Sequence, residues 1–186
     1  MIFIYALRKF ATRSLILLWL HSIYWMRIIL LAMDALDKLP MFQDLTPTQR
    51  DLLRRIFIPC DCYGDACLFN QGDIAEHMYL VISGEVAINY KPEDGSIITM
   101  ARVGPGGVVG WSAALGNPYY TSSAICTIYT QMLRVRSADL RNLCQECPET
   151  GILILDRLAA VIAERLRNTH EQVIALLKQG LLSSYG

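Results

Sequence analysis

Residues 64–86 have the sequence GDACLFNQGDIAEHMYLVISGEV, and this stretch decides the fold. It contains two short apolar runs, 66–69 and 78–82, and a third begins at its end. Gly72 and Gly84 stand at the turns between the runs, where a residue without a Cβ adopts a positive φ at little cost. Short apolar runs separated by glycine turns predict an antiparallel β-structure.

The same pattern continues on both sides of this stretch. Turn sequences at 93–96 (EDGS) and 104–107 (GPGG) separate further runs that are rich in β-branched and aromatic residues. Their regular spacing predicts a sandwich or jelly roll that is mainly β with flanking helices. The predicted strands are 56–62, 66–69, 78–82, 84–91, 97–103, 123–129 and 131–136.

Two short helices flank the predicted strands. Thr46 and Gln49 form a capping box around Pro47, which predicts a helix that ends near Arg55. After the last strand, Ser137 is the predicted N-cap of a helix over 138–146.

A long helix is predicted from Pro148 to about Gln179, closed by Gly180. Apolar residues recur along it at intervals of three and four and form one seam, interrupted by a threonine. The seam consists of Ile152, Leu155, Ala159, Ile162, Leu166, Thr169, Val173 and Leu176. Either the helix packs lengthwise on its own sandwich or it pairs with a second copy. A helix of thirty residues is about 45 Å long, more than one small domain covers, which favours a homodimer through 148–179.

Residues 101–125, ARVGPGGVVGWSAALGNPYYTSSAI, together with 64–86, resemble the cyclic nucleotide-binding domain of the catabolite-activator (Crp/Fnr-like) family. In that family a short loop and helix, approximately F-G-E-L-A-L and then P-R-A-A-T, hold the ligand. The Glu binds the ribose hydroxyl and the Arg binds the cyclic phosphate. The resemblance covers about Leu39 to Gln179. It implies a jelly roll (double-stranded β-helix) at 39–147, followed by a long helix at 148–179 that closes over the ligand and pairs two subunits.

The sequence departs from the family pattern at both charged positions. Gly110 matches the family glycine, whereas Trp111 stands at the position of the Glu and Tyr120 at that of the Arg. An arginine supplies a bidentate, charge-assisted pair to a phosphate, and losing such a partner costs on the order of 2–5 kcal/mol. Backbone N–H groups and neutral hydroxyls remain as donors. The candidate ligand-binding residues are Gly110, Trp111, Ser112, Tyr120, Thr121, Ser122 and Ser123.

The ligand itself is left open by these substitutions. A cyclic nucleotide, another small ligand or partner segment, and a purely structural fold without a ligand are all compatible with an altered phosphate site. Trp111 either fills the ribose pocket or stacks on a planar ligand. Tyr119 and Tyr120 either pack in the loop or contact the ligand.

The sequence predicts a non-catalytic regulatory or sensor module. No nucleophile beside a base and no paired acid and base can be assembled, and Glu85 matches a structural Gly-Glu pair. Transcription regulators of the family carry a helix-turn-helix module after the long helix, and only LLSSYG (181–186) follows here, so no direct DNA binding is expected. The predicted partners are a second copy and an unidentified protein.

Residues 1–33 differ in composition from the remainder, with four basic residues and no acidic one. Within them, 15–32 form an apolar run of membrane-spanning length that contains Arg27, whose burial in a bilayer costs about 2.5–3.5 kcal/mol. Three interpretations stay open: a reading frame extended upstream of a natural start at Met33, a membrane anchor, and a helix packed on the domain or a partner. The predicted location is the cytoplasm, and the alternative is a membrane-tethered scaffold protein anchored through 15–32.

Six cysteines raise the question of metal or redox chemistry. Cys60, Cys62 and Cys67 define the alternative hypothesis of a redox-responsive regulator. The favoured interpretation is that all six are buried or half-buried reduced thiols, because Cys60 and Cys62 share one face of a strand. No metal site is predicted. The remaining cysteines are Cys126, Cys144 and Cys147.

Overall fold

The computed structural model describes Leu36 and residues 39–183, and of residues 169–170, 172–173 and 175–183 it gives the backbone alone. The described part begins with a 3-10 turn, Pro40–Phe42, and ends with a helix of 36 residues. The strands are β1 (Ile58–Cys62), β2 (Cys67–Phe69), β3 (His77–Ser83), β4 (Val86–Tyr90), β5 (Ile98–Val103), β6 (Val108–Val109), β7 (Ser123–Cys126) and β8 (Thr130–Arg136). The α-helices are α1 (Pro47–Ile56), α2 (Trp111–Ala114), α3 (Ser137–Glu146) and α4 (Pro148–Ser183).

The eight strands form two four-stranded antiparallel sheets packed face to face, in the orders β1-β8-β3-β6 and β2-β7-β4-β5. This confirms the predicted jelly roll followed by a long helix. All seven predicted strands are present with small shifts at their ends, and Gly72 and Gly84 have positive φ. The eighth strand, β6, was missed because two residues are too few for an alternating pattern to show.

Two apolar cores hold the fold together. The first lies between the sheets and includes Phe69, Tyr79 and Val86. The second lies between the β1-β8-β3-β6 sheet and the helices, where Phe42, Leu53, Met78, Leu133, Ile154 and Leu158 are buried. The second core fixes α4 against the jelly roll, and so positions whatever α4 presents to the ligand-binding region.

The helix termini test the capping predictions. In α1 the Gln49 backbone N–H donates to Thr46 Oγ1 at 3.3 Å and the Thr46 N–H donates to Gln49 Oε1 at 3.0 Å, as the capping box predicts. The prediction that Ser137 is an N-cap was wrong. Arg136 is the N-cap of α3, without a side-chain cap, and the Ser137 N–H instead donates to the Glu76 carbonyl at 2.8 Å.

The predicted end of the long helix was also wrong, since α4 continues through Gly180 to Ser183. A helical glycine costs about 1 kcal/mol relative to alanine, which two leucines immediately after it help to offset. A glycine near the end of a helical pattern is therefore a weak stop signal when good helix formers follow.

Helix α4 has two apolar faces. Its inner face, Ile154, Leu158 and Val161, packs on the jelly roll. The anchor is Arg157, whose guanidinium donates to the carbonyls of Met41 at 2.9 Å and Gln43 at 2.5 Å. The outer face is the start of the predicted seam and is open in the single chain: Ile152, Leu155, Ala159 and Leu166 are exposed.

The N-terminal predictions lie outside the described residues. Nothing in the structure bears on the three interpretations of 1–33, and the boundaries at 39–147 and 148–179 stay predictions. Within the described part of the chain, no helix combines the length and the apolar character that crossing a bilayer requires.

The cysteines are all free thiols. Cys62 and Cys126 are buried between the sheets and Cys60 packs against the same core, whereas Cys67, expected to be buried or half-buried, is exposed. Burial raises the pKa of Cys60 and that of Cys126 to about 12, which leaves both as unreactive thiols at neutral pH. Among the residues that the structure describes, no three metal-ligating side chains are grouped.

Candidate ligand-binding site

A cavity of about 220 Å³ opens between the β2-β7-β4-β5 sheet, α2 and α4. Six of the seven predicted site residues line it: Gly110, Trp111, Ser112, Tyr120, Thr121 and Ser122. The wall contributed by the strands is mainly apolar and consists of Phe69, Ile88, Tyr90, Met100 and Ala101. The wall contributed by α4 consists of Arg165 and Leu166. The structure therefore brings most of the predicted residues together around one space.

Gly110 joins β6 to α2 in a left-handed conformation, with φ of 74°. A Cβ at this position would lie 2.8 Å from the His77 carbonyl oxygen and 3.3 Å from ring atoms of Phe69 and Tyr120. Glycine is thus required both by the backbone conformation and by the close approach of three neighbours.

Tyr120 is a fixed wall of the cavity. Its ring stacks on Phe69 with centroids 3.7 Å apart and an interplanar angle of 14°. Its hydroxyl donates to the His77 carbonyl at 2.6 Å and accepts from the His77 backbone N–H at 3.0 Å. Its own backbone pairs with the turn at 72–73, at 2.8 and 2.9 Å. Of the two interpretations of Tyr120, this geometry favours packing, with one edge of the ring reaching the cavity.

The phenol also remains uncharged. Burial raises the pKa of Tyr120 above its ordinary value, so the hydroxyl is protonated at neutral pH. At Tyr120, the predicted position of the family arginine, the chain therefore has a neutral ring whose hydroxyl is already bonded to the backbone.

Trp111 begins α2 and is half-buried against the core under the helices. The guanidinium carbon of Arg165 lies 5.4 Å from the centroid of its ring, within the range of a cation–π contact. Arg165 Nη1 also donates to the Val108 carbonyl at 3.2 Å. The indole is thus covered on one face by a cation that belongs to α4.

Arg165 is the site residue that the sequence analysis missed. It is half-buried, and burial lowers the pKa of its guanidinium from the ordinary value, although an arginine stays charged at neutral pH. The available signal was its spacing, because Arg165 falls seven residues after Leu158 and four after Val161, which places it on the inner face. The lining of the cavity therefore includes a charged residue that was not predicted from the sequence.

Of the polar residues in the loop after Tyr120, two line the cavity and one bonds to the backbone of a neighbouring turn. Thr121 is exposed, Ser122 is half-buried, and both line the cavity. Ser123 does not, since it opens β7 and its hydroxyl accepts from the Gln71 N–H at 2.9 Å. Tyr119 is exposed on the outside of the loop.

Glu85 is engaged at the other end of the sandwich. Its carboxylate accepts from Thr127 Oγ1 at 2.8 Å and from Arg102 Nη1 at 2.6 Å. These contacts agree with the structural interpretation of this residue.

A second cavity, of about 500 Å³, lies on the other side of Trp111 and Arg165, between α4 and residues 101–108. It is larger, but Trp111 is the one predicted site residue among its described lining residues. The first cavity is therefore the better candidate site, and Ala101, Trp111 and Arg165 line both cavities.

These features define a class of protein, a jelly-roll module with a cavity that is lined in part by the helix that follows the roll. Comparison with known proteins makes the class specific. Residues 63–147 match the family described as the cyclic nucleotide-binding domain. The chain is 31% identical over 128 residues to the cyclic AMP receptor protein of Thermus thermophilus, covering 69% of this chain and 57% of that protein.

Two further relatives agree. The chain is 26% identical over 144 residues to the CRP-like cAMP-activated global transcriptional regulator of Mycobacterium tuberculosis, covering 77% of this chain and 62% of that protein. The crystal structure of a cyclic nucleotide-binding domain from Methylobacillus flagellatus superposes with a TM-score of 0.68 at 21% identity, over 82% of this chain and 83% of that one. This chain thus contains a cyclic nucleotide-binding domain with homologues among the Crp regulators. It spans about three fifths of the length of the two curated relatives.

Proposed function

We propose that this chain is a non-catalytic regulatory module that binds a small ligand in the cavity at Trp111 and reports its presence through α4. One observation carries the proposal: the cavity is lined both by the loop that resembles the phosphate-binding segment of the family and by Arg165 and Leu166 of α4. A ligand between them would contact both. Its affinity would then depend on how α4 is placed, and by linkage its binding would bias the position of α4.

The cavity size limits the ligand. Its volume of about 220 Å³ lies below the range of about 300–1,000 Å³ that is typical of small-molecule pockets. A cyclic mononucleotide or a smaller molecule is the better candidate, and a cyclic dinucleotide is disfavoured. Since Tyr120 replaces the loop arginine, we expect cAMP and cGMP to bind this chain more weakly than they would bind a domain with an arginine in this loop.

The proposal includes a homodimer that forms through the outer face of α4. Ile152 and Leu166 are 67% and 57% exposed, although both belong to a regular apolar seam. We also place the module in the cytoplasm, with an unidentified protein as its target. Direct DNA binding is not part of the proposal, because beyond residue 33 the chain carries four more acidic than basic residues.

The ligand-binding role is tested by blocking the cavity. The full chain is screened by thermal shift and calorimetry against cAMP, cGMP, 5′-AMP and cyclic di-GMP, as wild type and as Ala101→Trp. Ala101 lines the cavity from β5, so the indole would occupy the space of the ligand. The matched control is Ile98→Trp, an exposed position on the same strand that is not among the lining residues.

We expect a mononucleotide to stabilise the wild type and the Ile98→Trp variant but not Ala101→Trp. Stabilisation that survives in Ala101→Trp would show that the ligand binds elsewhere. No response of the wild type to any nucleotide at millimolar concentration would argue against a nucleotide-binding role and for a scaffold.

A further inference from the structure

We propose that a third cavity, between α2 and the start of α3, binds a small anion. This α2–α3 cleft has a volume of about 350 Å³ and is lined by residues 74–76, by Ala113 and residues 116–118, and by residues 136–138 and 141. It shares none of its described lining residues with the two cavities beside Trp111. The ligand is a small molecule that carries a phosphate or a pair of carboxylates on a short apolar body.

The positive charge of the cleft comes from two arginines. Arg136 is the last residue of β8, Arg141 lies in the second turn of α3, and both are exposed. Among the residues that the structure describes, neither guanidinium has an ion-pair partner. The acidic residue in the described lining is Glu76, whose carboxylate lies 4.0 Å from Nδ1 of His77 and not beside a guanidinium. Guanidinium groups bind phosphates and carboxylates through paired, charge-assisted hydrogen bonds.

The charge of the cleft is opposite to that of the body of the chain. Beyond residue 33 the chain carries four more acidic than basic residues, whereas the described lining of the cleft has two arginines and one glutamate. Like charges that line one cleft repel each other, and an anion bound between them removes that repulsion. Arg136 and Arg141 therefore favour an anion with two negative charges over a singly charged one.

The remaining lining suits the body of a small organic anion. Asn117 and Ser137 supply an amide and a hydroxyl, which are neutral hydrogen-bond donors. Ile74 and Pro118 are apolar, and Ile74 is 68% exposed, so an apolar group of the ligand would cover it. The volume of about 350 Å³ lies within the range of about 300–1,000 Å³ that is typical of small-molecule pockets.

The cleft and the ligand cavity are lined by neighbouring residues of one chain segment. Residues 116–118 line the cleft, and Ser112 and Tyr120 on either side of them line the ligand cavity. The Asn117 N–H donates to the Ser112 carbonyl at 2.9 Å, which joins the two sets of lining residues directly. An anion in the cleft would therefore alter, by linkage, the affinity of the ligand cavity. This consequence rests on the proposed function, whereas the anion site itself does not.

The experiment compares Arg141→Gln with Arg134→Gln in the full chain. Arg134 is an exposed arginine of β8 that is not among the lining residues, so both variants lose one positive charge. A second pair removes space instead of charge: Ala138→Trp places an indole in the cleft, and Asn142→Trp, exposed on the same helix but not lining it, is the control. The probes are phenyl phosphate as a phosphate source, phthalate as a pair of carboxylates, and benzamide as an uncharged counterpart. Dissociation constants are measured by ligand-observed NMR at one ionic strength, set with chloride.

We expect Arg141→Gln to weaken the better anionic probe by about fivefold or more, with Arg134→Gln within about twofold of the wild type. Arg141→Lys, which keeps the charge, should recover part of the affinity. Ala138→Trp should abolish binding, whereas Asn142→Trp and Ala101→Trp, which blocks the ligand cavity, should leave it unchanged. Benzamide should bind more weakly than the better anion, and the stronger of the two anions identifies the oxyanion that the cleft accepts.

Equal weakening by Arg141→Gln and Arg134→Gln would show a general attraction to positive charge and would overturn the site. Anion binding that survives in Ala138→Trp, or that is absent from the wild type at millimolar concentration, would overturn it as well. These outcomes leave the proposed function standing, because that function is judged by nucleotide binding at the ligand cavity. Loss of anion binding in Ala101→Trp would instead assign the anion to the ligand cavity and reject the cleft.

Discussion

At the scale of single residues, Tyr120 has a structural role in the loop at the cavity. The hydroxyl satisfies both backbone polar groups of His77, and the ring covers Phe69 and the backbone at Gly110. An arginine at this position would lack the aromatic ring, and because it has no hydrogen-bond acceptor it could not accept from the His77 N–H. The loop is thus specified by aromatic packing, and a charge on the loop is not needed to hold its conformation.

This role predicts the outcome of Tyr120→Phe. The ring and its stacking are kept, but the N–H and the carbonyl of His77 both lose their partner in a half-buried place. We expect the free energy of unfolding to fall by about 1–3 kcal/mol, measured by urea denaturation. Tyr119→Phe is the matched control, since Tyr119 is 56% exposed, and it should change stability by less than about 0.5 kcal/mol. Equal effects of the two variants would contradict the role assigned to the Tyr120 hydroxyl.

The sequence could predict which residues line the cavity where those residues are close together in the chain. Gly110, Trp111, Ser112, Tyr120, Thr121 and Ser122 lie in one stretch whose pattern of glycines marks the loop, and they meet at one cavity. Arg165 could not be assigned in the same way. It is distant in sequence, and its contact with Trp111 depends on the rotation of α4 about its own axis, which no local pattern encodes.

At the scale of secondary structure, the link from β6 to α2 depends on one backbone conformation. Gly110 and Gly116 bracket α2, and both have positive φ, 74° and 78°. They differ in their surroundings. A Cβ at Gly110 would meet the His77 carbonyl, whereas a Cβ at Gly116 would meet nothing within 4 Å.

Comparing Gly110→Ala with Gly116→Ala therefore separates the cost of placing alanine at a positive φ from the cost of a collision with neighbouring backbone. Alanine in the left-handed region costs about 1–2 kcal/mol, which should be the whole effect at Gly116. At Gly110 the collision with backbone adds to it, so we expect a clearly larger loss of unfolding free energy and weaker binding at the cavity. Chemical denaturation of both variants measures the difference. Similar losses at the two positions would show that the close approach to His77 is relieved at little cost.

The elements themselves were predicted best where a periodic pattern was long. The seven longer strands and the long helix α4 follow from alternation and spacing, but β6 is too short to show a period. The misassigned start of α3 has another cause. The backbone of Ser137 is bonded to Glu76 across the fold, and this tertiary contact determines where the helix begins.

At the scale of the whole molecule, α4 has three features that bear on the proposed function. Its inner face is fixed to the jelly roll by Ile154 and Leu158, its outer face is open, and Arg165 stands at the cavity. Leu166 belongs to two of these, because it lines the cavity and lies on the outer face. A second copy packed along that face would therefore adjoin the ligand, which is a direct route from occupancy to assembly.

The dimer is tested by placing a charge on the outer face away from the cavity. Ile152→Glu alters a side chain that is 67% exposed, so the fold of the single chain should be unaffected. We expect this variant to be monomeric by sedimentation or light scattering at concentrations where the wild type is dimeric, because a buried unpaired carboxylate opposes association. Glu149→Gln, at an exposed polar position of the first turn, should leave the mass unchanged. A wild type that is monomeric at high concentration would contradict the outer-face dimer.

The indole of Trp111 has one more consequence, because it lies, together with Ala101 and Arg165, between cavities of about 220 and 500 Å³. A single bulky side chain thereby sets an upper limit on what can be accommodated. Descendants of this sequence with a smaller residue there would have a wider connection between the two cavities and admit longer molecules. Selectivity for size in this lineage can therefore evolve by one codon, without altering the strands that surround it.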